Sequence, residues 1–167
     1  GSNIPVVGAG GFCDGKTLAA SLVMGAAGAQ MGTRFLATQE SDFHPLWKEQ
    51  VVKTPDRGTL VARGVVGPAR WLKTPSSIEH QKNTLLKSPS VFLDTPDDFS
   101  TPATEELIAF ERNGIKAVVT GDRENAMMAG GECAQRVDDL PKVQDLVDRI
   151  VKEAKAILKN APNYVMD

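Results

Sequence analysis

The sequence predicts an α/β fold, because its first 37 residues alternate short apolar runs, glycine loops and helical segments. An apolar run at Ile4–Val7 ends in Gly8-Ala9-Gly10-Gly11, a pattern typical of a buried parallel strand and a tight turn. A helix is predicted from Gly15 to Met24, with Asp14 as its N-cap and Gly25 at its end. A second strand over 29–31 leads into Gly32-Thr33 and a short helix over 34–37. Residues 3–37 therefore predict one βαβ unit.

The middle of the chain, residues 38–135, is less regular and predicts an insertion of helices and loops. Residues 115–119 are apolar and β-branched, and they fit either a strand or the continuation of a helix. The other predicted elements of this part are a helix at His44–Lys53, a strand at Thr59–Val66, a helix at Ser76–Lys87, a loop at Ser88–Thr101, a helix at Thr104–Asn113 that stops at Gly114, and a turn at Met127–Gly131.

The last part, residues 136–167, predicts one long amphipathic helix. Asp138 or Asp139 is expected to cap this helix, and Pro141 to lie in its first turn. Apolar residues recur with the 3, 4, 3, 4 spacing of a single buried face, at Val143, Leu146, Val147, Ile150, Val151, Ala154, Ile157 and Leu158.

The composition indicates a soluble globular protein. The formal net charge is −2 and no apolar run approaches the roughly 18 residues of a membrane span, so we expect neither nucleic acid nor a membrane as partner. Cys13 and Cys133 match no metal or redox spacing, which predicts reduced thiols, no metal site and a cytoplasmic location. Gly1-Ser2 reads as the remnant of a cleaved tag, and the immediate start of a strand suggests a piece of a longer protein.

The two glycine loops predict an anion site. Glycine lets a ligand come close to the backbone N–H groups, and a helix N-terminus adds N–H donors and a partial positive charge. Gly10-Gly11 precedes the first helix, Gly32-Thr33 precedes the short helix, and the Thr33 hydroxyl is a further donor. A phosphate between the loops would be held by neutral dipoles, as occurs after the last two strands of (β/α)₈ barrels. The alternative is that both loops are merely tight turns.

Other polar and aromatic residues have a simpler interpretation. A surface or capping role is expected for His44, a solvated position for His80, and a packed thiol for Cys13. Met127 and Met128 either border a substrate channel or fill core gaps. Solvated surface charge is expected for Arg34 and Lys48, and packing for Trp47 and Trp71.

At this level of detail the chain resembles a known family. Residues 4–15 (IPVVGAGGFCDG) and 28–35 (GAQMGTRF) are similar to the FMN-phosphate segment of nitronate monooxygenases, formerly called 2-nitropropane dioxygenases. Flavin-dependent enoyl-acyl-carrier-protein reductases share this segment. The resemblance continues through 37–48, the Arg70 region, 118–122 and 127–130 into the last helix, so it covers most of the chain.

The resemblance implies the C-terminal part of a TIM (β/α)₈ barrel: the last two strands, their phosphate-binding loops and a mostly helical tail. It implies FMN as cofactor of the full-length protein, with the flavin phosphate and ribityl chain as the main contacts. At Gly131 the family usually has Gln, which puts a side-chain contact there in doubt. The cofactor-binding residues implied by the resemblance are Ala9, Gly10, Gly11, Gln30, Met31, Gly32, Thr33 and Gly130.

The activity implied by the resemblance is oxidation of a nitronate with O₂, and the alternative is reduction of an enoyl thioester. The run His44–Lys48 resembles the enoyl reductases slightly more. The upstream Gly-Gly-His motif that carries the catalytic histidine of nitronate monooxygenases is not present in the sequence, so no catalytic residue is assigned. We therefore expect the chain to be inactive alone, and to self-associate or to pair with the missing N-terminal part of the barrel. The alternative hypothesis, from a different functional class, is that the chain is a catalytically inert barrel fragment that self-associates.

Overall fold

The computed structural model describes residues 3–64, 67–92 and 101–164, and it confirms the α/β class. Gly1-Ser2, with the predicted tag remnant, lies outside the described residues. The elements in chain order are β1 (Val7–Ala9), α1 (Gly15–Val23), β2 (Gly28–Gln30), α2 (Gly32–Leu36), α3 (Pro45–Val52), β3 (Thr59–Gly64), β4 (Gly67–Leu72), α4 (Pro75–Lys87), α5 (Pro102–Val119) and α6 (Val143–Asn160). Short 3₁₀ turns lie at Pro89–Phe92, Glu132–Arg136 and Ala161–Tyr164.

The predicted βαβ unit is present. Strands β1 and β2 are parallel, with Val7 opposite Gly28 and Ala9 opposite Gln30. Helix α1 begins after Asp14, whose carboxylate accepts a hydrogen bond from the Thr17 N–H (2.8 Å), while the Thr17 hydroxyl accepts one from the Asp14 N–H (3.2 Å). This capping box explains why the helix starts where the sequence predicts it.

The prediction of a buried first strand is wrong for the chain as described. Ile4, Val6 and Val7 are 74%, 68% and 54% exposed, and β1 pairs only with β2 among the described strands. A parallel strand is normally covered on both faces. Here α1 covers one side of the pair, and the apolar residues before and within β1 remain on the surface.

The middle part contains a β-hairpin as well as helices. Strands β3 and β4 are antiparallel, with Leu60 opposite Trp71. The predicted turn at Met127–Gly131 is instead an extended segment beside β4, because the Leu72 N–H donates to the Met128 carbonyl (2.9 Å) and the Gly130 N–H donates to the Arg70 carbonyl (3.1 Å). The segment is extended because it pairs with the edge of β4, and its local sequence does not indicate this pairing. Residues 65–66 of the predicted strand and 93–100 of the predicted loop lie outside the described residues.

Helix α5 runs past the predicted stop. It spans Pro102–Val119, so residues 115–119 continue the helix and Gly114 lies within it. A Cβ on Gly114 would stand 2.5 Å from Met127 Cγ and 2.7 Å from Met127 Cβ. The glycine therefore permits a close approach of the 127 segment, and does not end the helix.

Helix α4 buries polar residues, and the expectation of a solvated His80 is wrong. The His80 side chain is fully buried, its Nε2 donates to the Arg63 carbonyl (2.8 Å), and its ring stacks on Phe110 at 5.6 Å. Burial lowers the pKa of His80, which keeps the imidazole neutral. This polar helix thus packs against β3 through hydrogen bonds to the backbone, a contact that hydrophobic periodicity does not predict.

The last helix forms with the predicted buried face, and Leu146, Ile150 and Ala154 are its buried residues. It begins later than predicted: its N-cap is Lys142, and neither Asp138 nor Asp139 caps it. Helix α6 packs on α1, where a Cβ on Gly15 would stand 2.6 Å from the Ile150 carbonyl oxygen. No helix in the described part of the chain is both long and apolar enough to cross a bilayer.

Gly114→Ala should destabilise the fold, although Gly→Ala in a helix normally stabilises. The added methyl overlaps Met127, and we expect the free energy of unfolding to fall by about 1–3 kcal/mol in urea denaturation. Asn113→Ala, at the exposed neighbouring position, is the control and should change it by less than about 0.5 kcal/mol. If the overlap is the cause, Met127→Ala should reduce the cost of Gly114→Ala. An equal cost in both backgrounds would contradict this explanation.

Candidate functional site

Two adjacent clefts lie at the carboxyl ends of β1 and β2. The smaller has a volume of about 220 Å³ and the larger about 810 Å³. Gly32, Thr33 and Gly131 line both clefts and form the wall between them. The remaining lining of the smaller cleft is Ala9, Gly10, Gly11, Phe12, Gln30 and Cys133. Six of the eight predicted cofactor-binding residues therefore meet in the smaller cleft, although no ligand contact tests their role.

The backbone in the smaller cleft is open to a ligand. Gly10 and Gly11 have φ of +90° and +80°, a region that favours glycine, and a Cβ at either position would meet nothing within 4 Å. A Cβ on Gly32 would also point into open space. Larger residues at positions 10, 11 and 32 would place side chains in the space that the three glycines leave free. The cleft consequently has room for a phosphate-sized group beside backbone N–H groups.

The N-terminus of α1 differs from the expectation, because its donors are already used within the chain. The Gly15 N–H donates to Glu153 Oε2 of α6 (2.8 Å), and the Cys13 and Asp14 N–H groups donate to the Thr17 hydroxyl. Helix α2 has no such cap: its N-cap is Met31, which makes no side-chain hydrogen bond to the first turn. Side chains thus already occupy most of the N–H groups at the start of α1, whereas no side chain caps the start of α2.

The Thr33 hydroxyl joins the site to the segment after the hairpin. Its Oγ1 accepts a hydrogen bond from the Gly131 N–H (2.7 Å), and Thr33 and Cys133 line the same smaller cleft. A Cβ on residue 131 would lie 3.1 Å from Thr33 Oγ1. Glycine at position 131 thus allows this close approach.

Met31 and Gly130 line the larger cleft and not the smaller one. Its walls include Phe35, Phe43 and Trp47. The Trp47 indole N–H donates to the Ala129 carbonyl (2.8 Å), and the Phe43 ring meets the Trp47 ring edge-on at 4.8 Å. The cleft is therefore mainly apolar and aromatic, and Trp47 lines it as well as packing.

Gly130 also has a packing role in the structure. A Cβ at this position would clash with the Leu72 side chain. The residue is thus needed where the segment crosses β4, whether or not it meets a ligand.

The predicted surface charges have structural partners. Arg34 is only 3% exposed, and it donates to the Asp139 carboxylate (2.9 Å), the Asp139 carbonyl (2.8 Å) and the Ala37 carbonyl (2.7 Å). The expectation of a solvated Arg34 is wrong. Lys48 Nζ donates to the Thr38 and Gln39 carbonyls (2.8 and 3.2 Å). Both cations fix the chain after α2 and are not directed into the smaller cleft.

The structure also tests the expectations for the remaining histidine, methionine and tryptophan residues. His44 is the N-cap of α3, with Nδ1 accepting from the Leu46 N–H (3.2 Å), which confirms a capping role. Met127 and Met128 are fully buried core residues, and Trp71 is buried with its indole N–H donating to the Arg63 carbonyl (3.3 Å). Sequence reasoning missed Phe12 and Cys133 in the smaller cleft. Phe12 follows the glycine loop directly, whereas nothing local marks Cys133, which is far away in the sequence.

Comparison with known proteins identifies the family of the chain. The family model for nitronate monooxygenase matches residues 2–153. The chain belongs to the nitronate monooxygenase family. A protein of Rhodococcus jostii named 5-hydroxy-7a-methyl-1-oxo-octahydro-1H-indene-4-carboxyl-CoA dehydrogenase is 34% identical to the chain. The aligned region covers 91% of the chain and 50% of that protein. A probable nitronate monooxygenase of Staphylococcus saprophyticus is 31% identical, covering 93% of the chain and 40% of that protein.

Solved structures of family members agree with the fold. FabK from Thermotoga maritima superposes with a TM-score of 0.77 at 34% identity, covering 98% of the chain and 48% of that structure. A nitroalkane oxidase from Streptomyces ansochromogenes gives 0.71 at 28% identity, covering 95% and 41%. The chain thus spans about half the length of the relatives it matches.

Asp139→Ala tests the ion pair that positions α2 in this family member. Removing the carboxylate leaves the buried Arg34 guanidinium with two carbonyl acceptors, and we expect a loss of about 2 kcal/mol in the free energy of unfolding at pH 7. Asp138→Ala, at an exposed neighbouring position, is the control and should have little effect.

The effect of Asp139→Ala on the free energy of unfolding should depend on pH. Hydrogen bonds from Arg149 and the charges of Arg149 and Arg34 lower the pKa of Asp139 below that of a free carboxyl group. Its stabilising effect is therefore present above about pH 4 and is lost as the pH falls through the lowered pKa of the folded chain. Unfolding curves of the wild type and Asp139→Ala should converge at acid pH. A difference that does not change with pH would contradict the role of the carboxylate.

Proposed function

We propose that the chain is the FMN-phosphate-binding part of a flavin-dependent oxidoreductase that oxidises nitronates with O₂. The observation that carries this proposal is the smaller cleft, where two glycine loops at the ends of parallel strands leave room beside their backbone for a phosphate. Family membership supports FMN as the ligand. In the whole protein we place β1 and β2 as the last two strands of a (β/α)₈ barrel.

The residues present fit the phosphate end of FMN. Backbone N–H groups of Gly10, Gly11 and the first turn of α2 would hold the phosphate, and Gly32 would let it approach the chain. Ala9 and Gln30, at the ends of the paired strands, would border the ribityl chain. When bound, FMN would supply the electron-transfer chemistry, while this chain would bind and orient the cofactor.

The larger cleft would take a flat or apolar group next to the phosphate site. Its aromatic walls, Phe35, Phe43 and Trp47, suit such a group, and Met31 and Gly130 lie at the wall shared with the smaller cleft. We propose that the flavin or the substrate reaches over this wall. Neither histidine lines either cleft among the residues described, which agrees with a catalytic base supplied by another part of the protein.

The alternative reaction is reduction of an enoyl thioester. The likeness to FabK and to two carboxyl-CoA dehydrogenases is consistent with an acyl thioester at the apolar cleft, but it does not exceed the likeness to nitronate monooxygenases. Assays of the whole protein with nitronates and with enoyl thioesters separate the two reactions. The cytoplasmic location stays a prediction.

A comparison of FMN with riboflavin tests the phosphate site. The two ligands differ only in the phosphate, so we expect FMN to bind the chain about tenfold tighter, or 1.4 kcal/mol, in a titration followed by flavin fluorescence. Gly32→Val should remove this difference, because its side chain fills the space beside α2.

Gly28→Val is the matched control for that variant. Gly28 also has open space at its Cβ position, but it lines neither cleft, so its preference for FMN should persist. Circular dichroism of both variants should show unchanged folding. Equal affinity of the wild-type chain for FMN and riboflavin would reject the phosphate site.

We also propose that the exposed β1–β2 pair associates with a second copy or with the N-terminal part of the barrel. Exposed parallel strands and the apolar side chains of Ile4, Val6 and Val7 favour such pairing. The chain should therefore sediment as a dimer or larger species, and Val6→Lys should shift it toward the monomer. A wild-type chain that sediments as a single monomeric species would contradict this proposal.

A further inference from the structure

The two cysteines, 120 residues apart in the sequence, meet in the folded chain. Cys13 lies in the loop between β1 and α1, and Cys133 lies in the turn Glu132–Arg136. Both thiols belong to one core cluster. The Cys133 Sγ also lies 3.8 Å from the carbonyl oxygen of Phe12, the residue before Cys13. Both thiols are free, and they are 5% and 6% exposed.

The two thiols differ in their access to the smaller cleft and in their chemistry. Cys133 lines this cleft and Cys13 does not. The Cys13 thiol lowers the pKa of Cys133 below that of a free thiol, with further help from the Thr33 hydroxyl and the charge of Arg136. The Cys133 thiol, burial and the nearby Asp14 raise the pKa of Cys13. Because Cys133 is the thiol that faces the cleft, we assign it as the attacking thiolate, with Cys13 as the second thiol behind it.

We propose that Cys13 and Cys133 form a reversible dithiol–disulfide modification site, which links the glycine loop after β1 to the turn at Glu132–Arg136. The pairing stands on geometry: Cys133 Sγ lies 3.8 Å from the carbonyl of the residue before Cys13, both thiols pack in one core cluster, and Cys133 faces a cleft. The oxidant is a small disulfide such as glutathione disulfide.

The reaction proceeds by two exchanges. The Cys133 thiolate attacks one sulfur of glutathione disulfide, a mixed disulfide forms at Cys133, and one glutathione thiolate leaves and takes up a proton. Cys13 then loses its proton and attacks the Cys133 sulfur, which forms the Cys13–Cys133 bond and releases the second glutathione. Two protein thiols are oxidised, and one glutathione disulfide is reduced to two glutathione molecules.

A ligand in the smaller cleft should suppress this modification, an extension that rests on the proposed phosphate site. A phosphate there would cover the open side of Cys133 and would accept a hydrogen bond from the Thr33 hydroxyl. Its negative charge would also oppose the thiolate. Phosphate binding should therefore slow the oxidation.

The first experiment tests the disulfide without any flavin. The reduced chain is equilibrated with mixtures of reduced and oxidised glutathione, trapped with N-ethylmaleimide and mapped by mass spectrometry. We expect a Cys13–Cys133 peptide, formed at a ratio of oxidised to reduced glutathione about tenfold lower than in concentrated guanidinium, because folding holds the thiols together. Glutathione adducts without the cross-link, or equal ratios for folded and denatured chains, would overturn the proposal.

Single variants test the order of attack. Cys13→Ser should stop at a mixed disulfide on Cys133, whereas Cys133→Ser should react about tenfold more slowly. In the wild type the first exchange should level off at a lower pH than the reaction of an ordinary exposed thiol, because the pKa of Cys133 is lowered. Equal rates for the two variants, or no plateau, would contradict the assigned roles.

The last experiment separates this inference from the proposed function. FMN should slow the first exchange about fivefold at saturation, and riboflavin should have less effect. If titration shows bound FMN but the exchange is not slowed, the link between the two sites is wrong. If FMN does not bind and the cross-link still forms, the phosphate site is wrong and the dithiol site stands.

Discussion

The hydrogen bond from the Gly131 N–H to the Thr33 hydroxyl connects the two halves of the site. Thr33 belongs to α2 of the βαβ unit, and Gly131 follows the segment that pairs with β4. Because both residues line both clefts, their contact sets the wall between the phosphate-sized space and the aromatic one. A side chain at position 131 would crowd Thr33, so glycine at this position is tied to the geometry of the wall.

Local chemistry explains the parts of the fold that the sequence predicts well. The Asp14–Thr17 capping box fixes the start of α1, and His44 fixes the start of α3. Gly25 has φ of +92° just after α1, as its place in the sequence indicates. The glycine loops also follow from local pattern, since the positive φ of Gly10 and Gly11 needs residues without Cβ. The smaller cleft was therefore largely predictable once β1 and β2 were recognised as parallel neighbours.

The features that could not be predicted depend on partners distant in the sequence. Gly114 looks like a helix end, but its role is to admit Met127. His80 lies in a polar helix, yet the Arg63 carbonyl and the Phe110 ring make its burial favourable. Arg34 is buried because Asp139, 105 residues later, neutralises its charge. Cys133 joins the cleft for the same kind of reason, and no spacing rule relates it to Cys13.

In the described part of the chain, the short strands β1 and β2 are covered on one face only. A two-stranded sheet is marginal by itself, and the residues before β1 are exposed. Contacts from the C-terminal third compensate at the ends that carry the glycine loops: Glu153 accepts from the Gly15 N–H, Arg136 pairs with Asp14, and Asp139 pairs with Arg34. These contacts fix the carboxyl ends of β1 and β2 without help from the strands' outer faces. The smaller cleft can therefore be formed by this chain although one face of the strands stays exposed.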